Sequence, residues 1–210
     1  MKNKALFITI EGLEGSGKSS LITFLQGALR KRRLRYVVFR EPGTTKIGEK
    51  IRAILLDKAN HELSRHTELL LYLAARTQLI EEKLLNAIKR YDVVICDRFF
   101  DSTLVYQGYA QGLGQAAEKA VKDFSLGLKP DLTMFLDVAP EEGLNRIKNK
   151  DRIESRPIPF HKKLRTGYLR LAAREPGRIK VIDASGRLED IYRQALRILG
   201  KKLCRQIKKY

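Results

Sequence analysis

An apolar run, Leu6-Phe7-Ile8-Thr9-Ile10, leads into Gly12-Leu13-Glu14-Gly15-Ser16-Gly17-Lys18-Ser19, and residues 20–32 beyond it are amphipathic. A strand that ends in a glycine-rich turn and opens a helix aims several backbone N–H groups at one point. The helix dipole adds partial positive charge there, so the turn can hold a polyphosphate. Gly12, Gly15 and Gly17 let the backbone approach phosphate oxygens without a Cβ clash. Lys18 can then reach the β and γ oxygens, and the Ser19 hydroxyl can ligate Mg²⁺. Residues 12–19 therefore predict a site for a nucleoside triphosphate, placed at a strand end.

The chain has 210 residues, enough for one α/β domain and its core. No run approaches the roughly 20 apolar residues of a membrane span, and a signal peptide is not expected. Cys96 closes the apolar run Val93-Val94-Ile95 and Cys204 lies in a basic tail, with no metal-ligand spacing. That usage suits a reducing cytoplasm. Charge is uneven: of a net +18, residues 145–210 carry +14, from twenty basic and six acidic side chains. Three readings stay open for this excess: a nucleic-acid surface, a lid around anionic nucleotides, or a solvated basic face. No aromatic-studded basic motif accompanies it, and nucleic acid is not expected as a partner.

Four further strand-like runs follow the first: residues 36–39, 93–96, 132–136 and 179–182. They are short and apolar, as in strands of a parallel sheet covered by helices. Helical periodicity is clearest over residues 64–89 and 187–208. The alternation predicts an α/β fold: a doubly wound parallel five-stranded sheet with flanking helices. It forms a single domain over residues 1–210, with a short helical lid at about 141–156. In such sheets ligands gather beyond the carboxyl ends of the strands. Arg40-Glu41-Pro42-Gly43-Thr44 and Asp97-Arg98 follow the second and third strands, so both should face the crevice of the phosphate loop. Asp97 is the natural carboxylate behind Mg²⁺, acting through water. Arg98 and Arg40 suit phosphate, and a cis Glu41–Pro42 bond is compatible with the loop.

The segments 10–19, 39–44 and 97–103, with Tyr106-Gln107-Gly108, Lys129-Pro130-Asp131-Leu132 and Asp151-Arg152-Ile153-Glu154, resemble the thymidylate kinase family over nearly the whole chain. That resemblance implies transfer of the γ-phosphoryl group of Mg·ATP to dTMP, in dTTP biosynthesis, by a cytoplasmic homodimer. It implies that Glu14 lies near the acceptor oxygen and metal, and that Arg98 holds the dTMP phosphate, with Arg40 at its border. Tyr72 and Arg76, four residues apart on one helix face, correspond to the stacking aromatic and the base-carbonyl contact. Here Tyr replaces the usual Phe. Thr103 corresponds to a base-edge position, Tyr106 to the residue under the sugar, and Ser102 and Gln107 to nearby contacts.

The phosphate loop carries no basic residue between Gly12 and Gly17, so the resemblance assigns charge stabilisation to lid arginines. The lid, Asn145-Arg146-Ile147-Lys148-Asn149-Lys150-Asp151-Arg152, uses lysines where the family commonly has arginines. Lysine supplies a point charge without the planar fork. Which lid residue acts stays open, with Arg146 placed before Arg152. The expected catalytic set is Lys18, Glu14, Arg146 and Arg152. Two rivals remain: a kinase for dUMP or dCMP, and a basic ATPase stimulated by polynucleotide.

Overall fold

In the computed structural model, which describes residues 4–207, the five apolar runs form strands β1 (Leu6–Gly12), β2 (Tyr36–Arg40), β3 (Val93–Asp97), β4 (Leu132–Asp137) and β5 (Ile179–Asp183). All pair in parallel, in the order β2-β3-β1-β4-β5. The central strands show why their sequences lack a polar face. Leu6, Ile8 and Ile10 enter one core layer, while Phe7, Val94 and Cys96 enter the layer on the other side. Strands alternate faces with period two, so burial on both sides demands apolar residues throughout. The edge strands relax this demand: β2 is half-buried along most of its length, and Val181 of β5 is exposed.

Helix α1 (Lys18–Lys31) follows the phosphate loop and shares a core layer with the C-terminal helix α9 (Leu188–Ile207). Helices α2 (Lys46–Leu56) and α3 (Arg65–Leu79) come between β2 and β3. Thr45 and Ser64 cap them, each side chain accepting a backbone N–H. The periodic stretch expected over 64–89 is interrupted: a π-helical turn at Ile80–Leu84 separates α3 from α4 (Leu85–Arg90). Beyond β3 come α5 (Phe100–Thr103), a second π turn (Leu104–Ala110) and α6 (Gly114–Phe124). The second π turn carries Tyr106 and Gln107, which line a cavity described below; such bulges are frequent at functional sites.

The expected helical lid is only partly helical. Helix α7 (Pro140–Asn145) covers its start, and residues 146–157 run as turns and coil into α8 (Ile158–Arg174). Asn149, Asp151 and Pro157 within that stretch do not favour a helix interior. The expected helical tail reaches Ile207; residues 208–210 and the first three residues lie outside the described part. No helix among the described residues is long and apolar enough to cross a membrane.

A buried polar chain locks the crevice to the sheet. Thr9 Oγ1 and Thr133 Oγ1 are 2.7 Å apart, Thr133 donates to Asp101, and Arg178 donates to both Asp101 oxygens at 2.6 and 2.8 Å. Asp101 thus pins α5, and with it the segment after Arg98, to β1 and β4. Arg178 is also one of several C-terminal cations held in ion pairs: Arg165 with Asp137, and Arg152 and Arg156 with Glu68. Part of the basic excess is therefore internal structure.

Candidate active site

The phosphate loop is shaped by backbone contact. Gly15 (φ +69°) lies so close to α7 that a Cβ there would meet the Gly143 carbonyl oxygen at 1.9 Å, and a Cβ on Gly143 would meet the Glu14 carbonyl oxygen at 2.4 Å. Loop and lid helix thus touch where neither can carry a side chain. Gly17 stands at the N-cap of α1 in the left-handed region with no side-chain cap, leaving the first helical N–H groups for an anion. Lys18 Nζ donates to the carbonyls of Gly12 and Leu13 at 3.2 and 3.0 Å. Burial, and then repulsion from Arg98, lower its pKa to about 8.

Two adjoining cavities flank Arg98. The larger, about 680 Å³, is lined by residues 14–20 of the loop with Arg40, Asp97 and Arg146; the smaller, about 90 Å³, by Tyr72, Ser102, Thr103, Tyr106 and Gln107. Glu14, Glu41, Arg52, Arg98 and Glu154 line both. Arg98 adopts φ 68°, a region uncommon for a side chain larger than glycine. Its guanidinium donates to Glu14 at 3.1 Å and, more weakly, to Ser102 and Tyr168, and it lies 5.2 Å from the Tyr106 ring centre. Strain held at a ligand-facing residue is a common mark of a working site.

Glu14 accepts from Arg98 and from the Tyr106 hydroxyl on the same oxygen, Oε1. Burial alone would raise its pKa, but His161, Arg98, Lys18 and Tyr106 outweigh that and hold it at about 2. Glu11, one turn of the chain away, behaves oppositely. Burial, then the charge of Asp101, push it up to about 7, although the Phe99 N–H and the hydroxyls of Ser102 and Tyr168 all donate to it. The site thus sets two neighbouring carboxyls far apart in acidity.

The expected residues fall into three groups. Gly12–Ser19, Asp97 and Arg146 gather around the larger cavity or its loop, and Arg146 Nη1 donates to the Gly15 carbonyl at 3.1 Å while pairing with Glu142. Tyr72, Ser102, Thr103, Tyr106 and Gln107 gather around the smaller one. Three residues sit otherwise than a direct ligand contact would require. Arg40 lines the larger cavity but is engaged by Glu49 at 2.8 and 2.9 Å. Arg76 is buried behind the smaller cavity, with Nε on Glu41 and Nη2 on Thr103 at 2.8 Å; its Nη1 has no partner. Arg152 is buried away from both cavities, bonded to Glu68 at 2.6 Å and to the Leu55 carbonyl at 2.7 Å. The Glu41–Pro42 bond is cis.

Sequence reasoning missed Arg52, Glu68, Tyr168 and His161, and it placed Glu41 at the crevice without its pairing to Arg76. Arg52 bridges both cavities and donates to the Pro42 carbonyl at 3.1 Å. Nothing in its helix distinguishes it from the exposed Lys50. Glu68, fully buried, receives Gln107, Gln111, Arg152 and Arg156. A glutamate four residues after the Ser64 cap reads as ordinary first-turn charge complementing the helix dipole. The residues present fit a hydrated Mg²⁺: Asp97 Oδ1 is buried without a hydrogen-bond partner and shares the larger cavity with Ser19. No cluster of three metal-binding side chains occurs among the described residues.

Comparison with known proteins identifies the chain's relatives. The family model described as thymidylate kinase matches residues 10–195. The chain is 43% identical over 198 residues to a thymidylate kinase of Clostridium novyi, covering 91% of this chain and 97% of that one. It is 44% identical over 203 residues to one of Thermoanaerobacter sp., covering 95% and 100%. Among solved structures, a thymidylate kinase from Ehrlichia chaffeensis superposes with a TM-score of 0.76 at 28% identity, over 94% of this chain and 99% of that one.

Proposed function

This chain belongs to the thymidylate kinase family, whose reaction moves a phosphoryl group from ATP to dTMP, and we propose that it does so across the Arg98 boundary between its two cavities. One observation carries the assignment of sites: the phosphate-loop cavity and the cavity of Tyr72, Thr103 and Tyr106 share Glu14, Arg52 and Arg98 as walls. ATP fits the first, with its β and γ phosphates at the α1 N-terminus and Lys18. The acceptor fits the second, its phosphate toward Arg98 and Arg52 and its base toward Tyr72, Thr103 and Gln107.

An acceptor phosphate is already anionic, so the reaction needs no strong base. It needs in-line placement and compensation of charge on the transferring group. Lys18 supplies charge from the loop, and Arg146 from the lid side, where its contact to Gly15 brings it to the loop backbone. Arg152, bound to Glu68, instead seats the lid against α3. Ser19 and, through water, Asp97 would hold Mg²⁺, which screens the phosphate charge when bound. Closure of the lid over both cavities excludes the water that would otherwise hydrolyse ATP. Arg76 acts from behind Thr103, orienting that hydroxyl through Nη2, while its Nη1 stays buried without a partner. The reading includes a homodimer in the cytoplasm, supported by the family resemblance.

Purified protein is incubated with Mg·ATP and, separately, dTMP, dUMP, dCMP or AMP, and products are resolved by chromatography. Fastest formation of dTDP is expected. Some dUMP turnover is also expected, because one methyl group distinguishes acceptors by only about 1–3 kcal/mol. ATP hydrolysis with no phosphorylated acceptor would overturn the reading in favour of a polynucleotide-dependent ATPase. Arg52→Ala should raise the KM for dTMP about tenfold or more, the scale of a lost charged hydrogen bond, with the KM for ATP changing little. Equal rises in both would remove Arg52 from the acceptor site.

A further inference from the structure

His161 is fully buried near the start of α8, and no role assigned above uses it. Its ring meets two different elements. Nε2 lies 3.2 Å from the backbone carbonyl oxygen of Arg156, in the coil before α8. A carbonyl only accepts, so Nε2 carries a proton, and attraction between Nδ1 and the Glu14 carboxylate requires a second proton on Nδ1. Nδ1 lies 3.4 Å from Oε2 of Glu14. The two atoms face each other without hydrogen-bond alignment, and each lacks any other partner despite being buried. Glu14 Oε1, by contrast, is held by both Arg98 and Tyr106. The carboxylate is therefore clamped on one oxygen and open on the other, with the imidazole facing the open one.

The far side of the ring is anchored as well. Arg156 donates from Nη2 to Glu68 of α3 at 2.7 Å, and its guanidinium stands 4.5 Å from the centre of the Phe160 ring. Glu68 in turn receives Gln107 from the wall of the smaller cavity. A continuous set of contacts thus runs from α3 through the Arg156 backbone and the imidazole to the phosphate loop. We propose that His161 is a positioning residue for the reaction: it ties the free oxygen of Glu14 to the Arg156 backbone, so that seating of the lid on α3 sets the orientation of the phosphate-loop carboxylate. The inference rests on the phosphoryl-transfer reading of the site. A buried histidine that merely fills the core would need its Nε2 bond alone, and would leave Glu14 indifferent to its loss.

The test is a double-mutant cycle read in kcat, in KM for each substrate and in thermal melting. His161→Phe keeps a ring and removes both donors; His161→Gln restores an amide donor. His161→Phe should lower kcat about tenfold or more, as for loss of a close buried charge contact, with the KM for ATP unchanged. His161→Gln should recover most of that loss. In a Glu14→Gln background His161→Phe should cost little more, because the carboxylate it orients is gone. Wild-type kcat in His161→Phe, or a loss that adds in full to that of Glu14→Gln, would reduce His161 to a packing group. Should His161→Phe not fold, His161→Leu carries the same cycle. Wild-type dTDP formation, measured alongside, separates the two readings: without it the site assignment fails, whereas an active His161→Phe fails only the positioning role.

Discussion

Lys18→Ala should lower kcat by about 10²–10³-fold, the scale seen when one preorganised charge donor is removed from a transition state. The argument is electrostatic. Lys18 is half-buried, donates only to carbonyls of its own loop, and stands close enough to Arg98 to be repelled by it. Asp97, Glu14 and Glu11 favour its charged form, but its hydrogen bonds go to carbonyls alone among the described residues, so its charge is available to a bound triphosphate. Its pKa also gives the variant a signature in stability. With a folded value of about 8 against 10.5 for an unperturbed lysine, the unfolded chain binds more protons between those values. Wild-type stability should therefore rise with pH through that window, and the unfavourable burial is felt in full below it. Lys18→Ala should lose this slope while losing activity. Steady-state kinetics and melting curves from pH 7.5 to pH 10 check both; near wild-type kcat in the variant would remove Lys18 from the mechanism.

Glu41→Ala should destabilise the fold by about 3–5 kcal/mol, the usual cost of stranding a buried charge. For a domain of this size that is a fall of roughly 10 °C in Tm. Glu41 and Arg76 form an ion pair at 2.8 Å with side chains 2% and 1% exposed, and Glu41 also joins β2 to β3 through its N–H on the Asp97 carbonyl. Burial raises the Glu41 pKa and Arg76 only partly reverses that, so the pair holds geometry more than it adds net stability. Replacing both partners, as Glu41→Leu with Arg76→Met, should recover much of the lost Tm. It should not recover dTMP phosphorylation, because Thr103 loses the Arg76 donor that orients it. Recovery of activity together with Tm would show that Arg76 serves stability alone. Arg76→Ala by itself cannot make this distinction, since it removes a structural partner of Glu41 along with the base-side contact.

Much of the fold was legible because its cues are local. Leu6–Ile10, Val93–Cys96 and Leu132–Leu136 are apolar without alternation, and all three proved to be central strands buried on both faces. The phosphate loop was legible for a similar reason: three glycines, a lysine and a serine act within one turn of chain, so their spacing alone carries the chemistry. Asp97 and Arg98 followed from the rule that strand ends face the crevice. The edge strands and the lid were read less well. Partial exposure of β2 and β5 depends on which neighbours they lack, and the coil at 146–157 is held by distant partners such as Glu68 and Leu55.

Arg146 and Arg152 show where local reading stops. Both are arginines in one short basic stretch, and no property of that stretch distinguishes their tasks. Folding sends Arg146 to the Gly15 carbonyl and Arg152 to Glu68, eighty-four positions earlier in the chain. Arg52 and His161 were silent for the same reason, each being an ordinary helix residue until a distant partner arrives, and Glu41, placed at the crevice by its strand end, gave no sign of its pairing with Arg76. Strand, loop and helix propensities and the phosphate-binding backbone are written in contiguous residues, because period-two burial and glycine dihedrals are short-range physics. The pairing of charges across the crevice is not, because a guanidinium finds its carboxylate through space, and only the packed sheet and helices bring the two within hydrogen-bond reach.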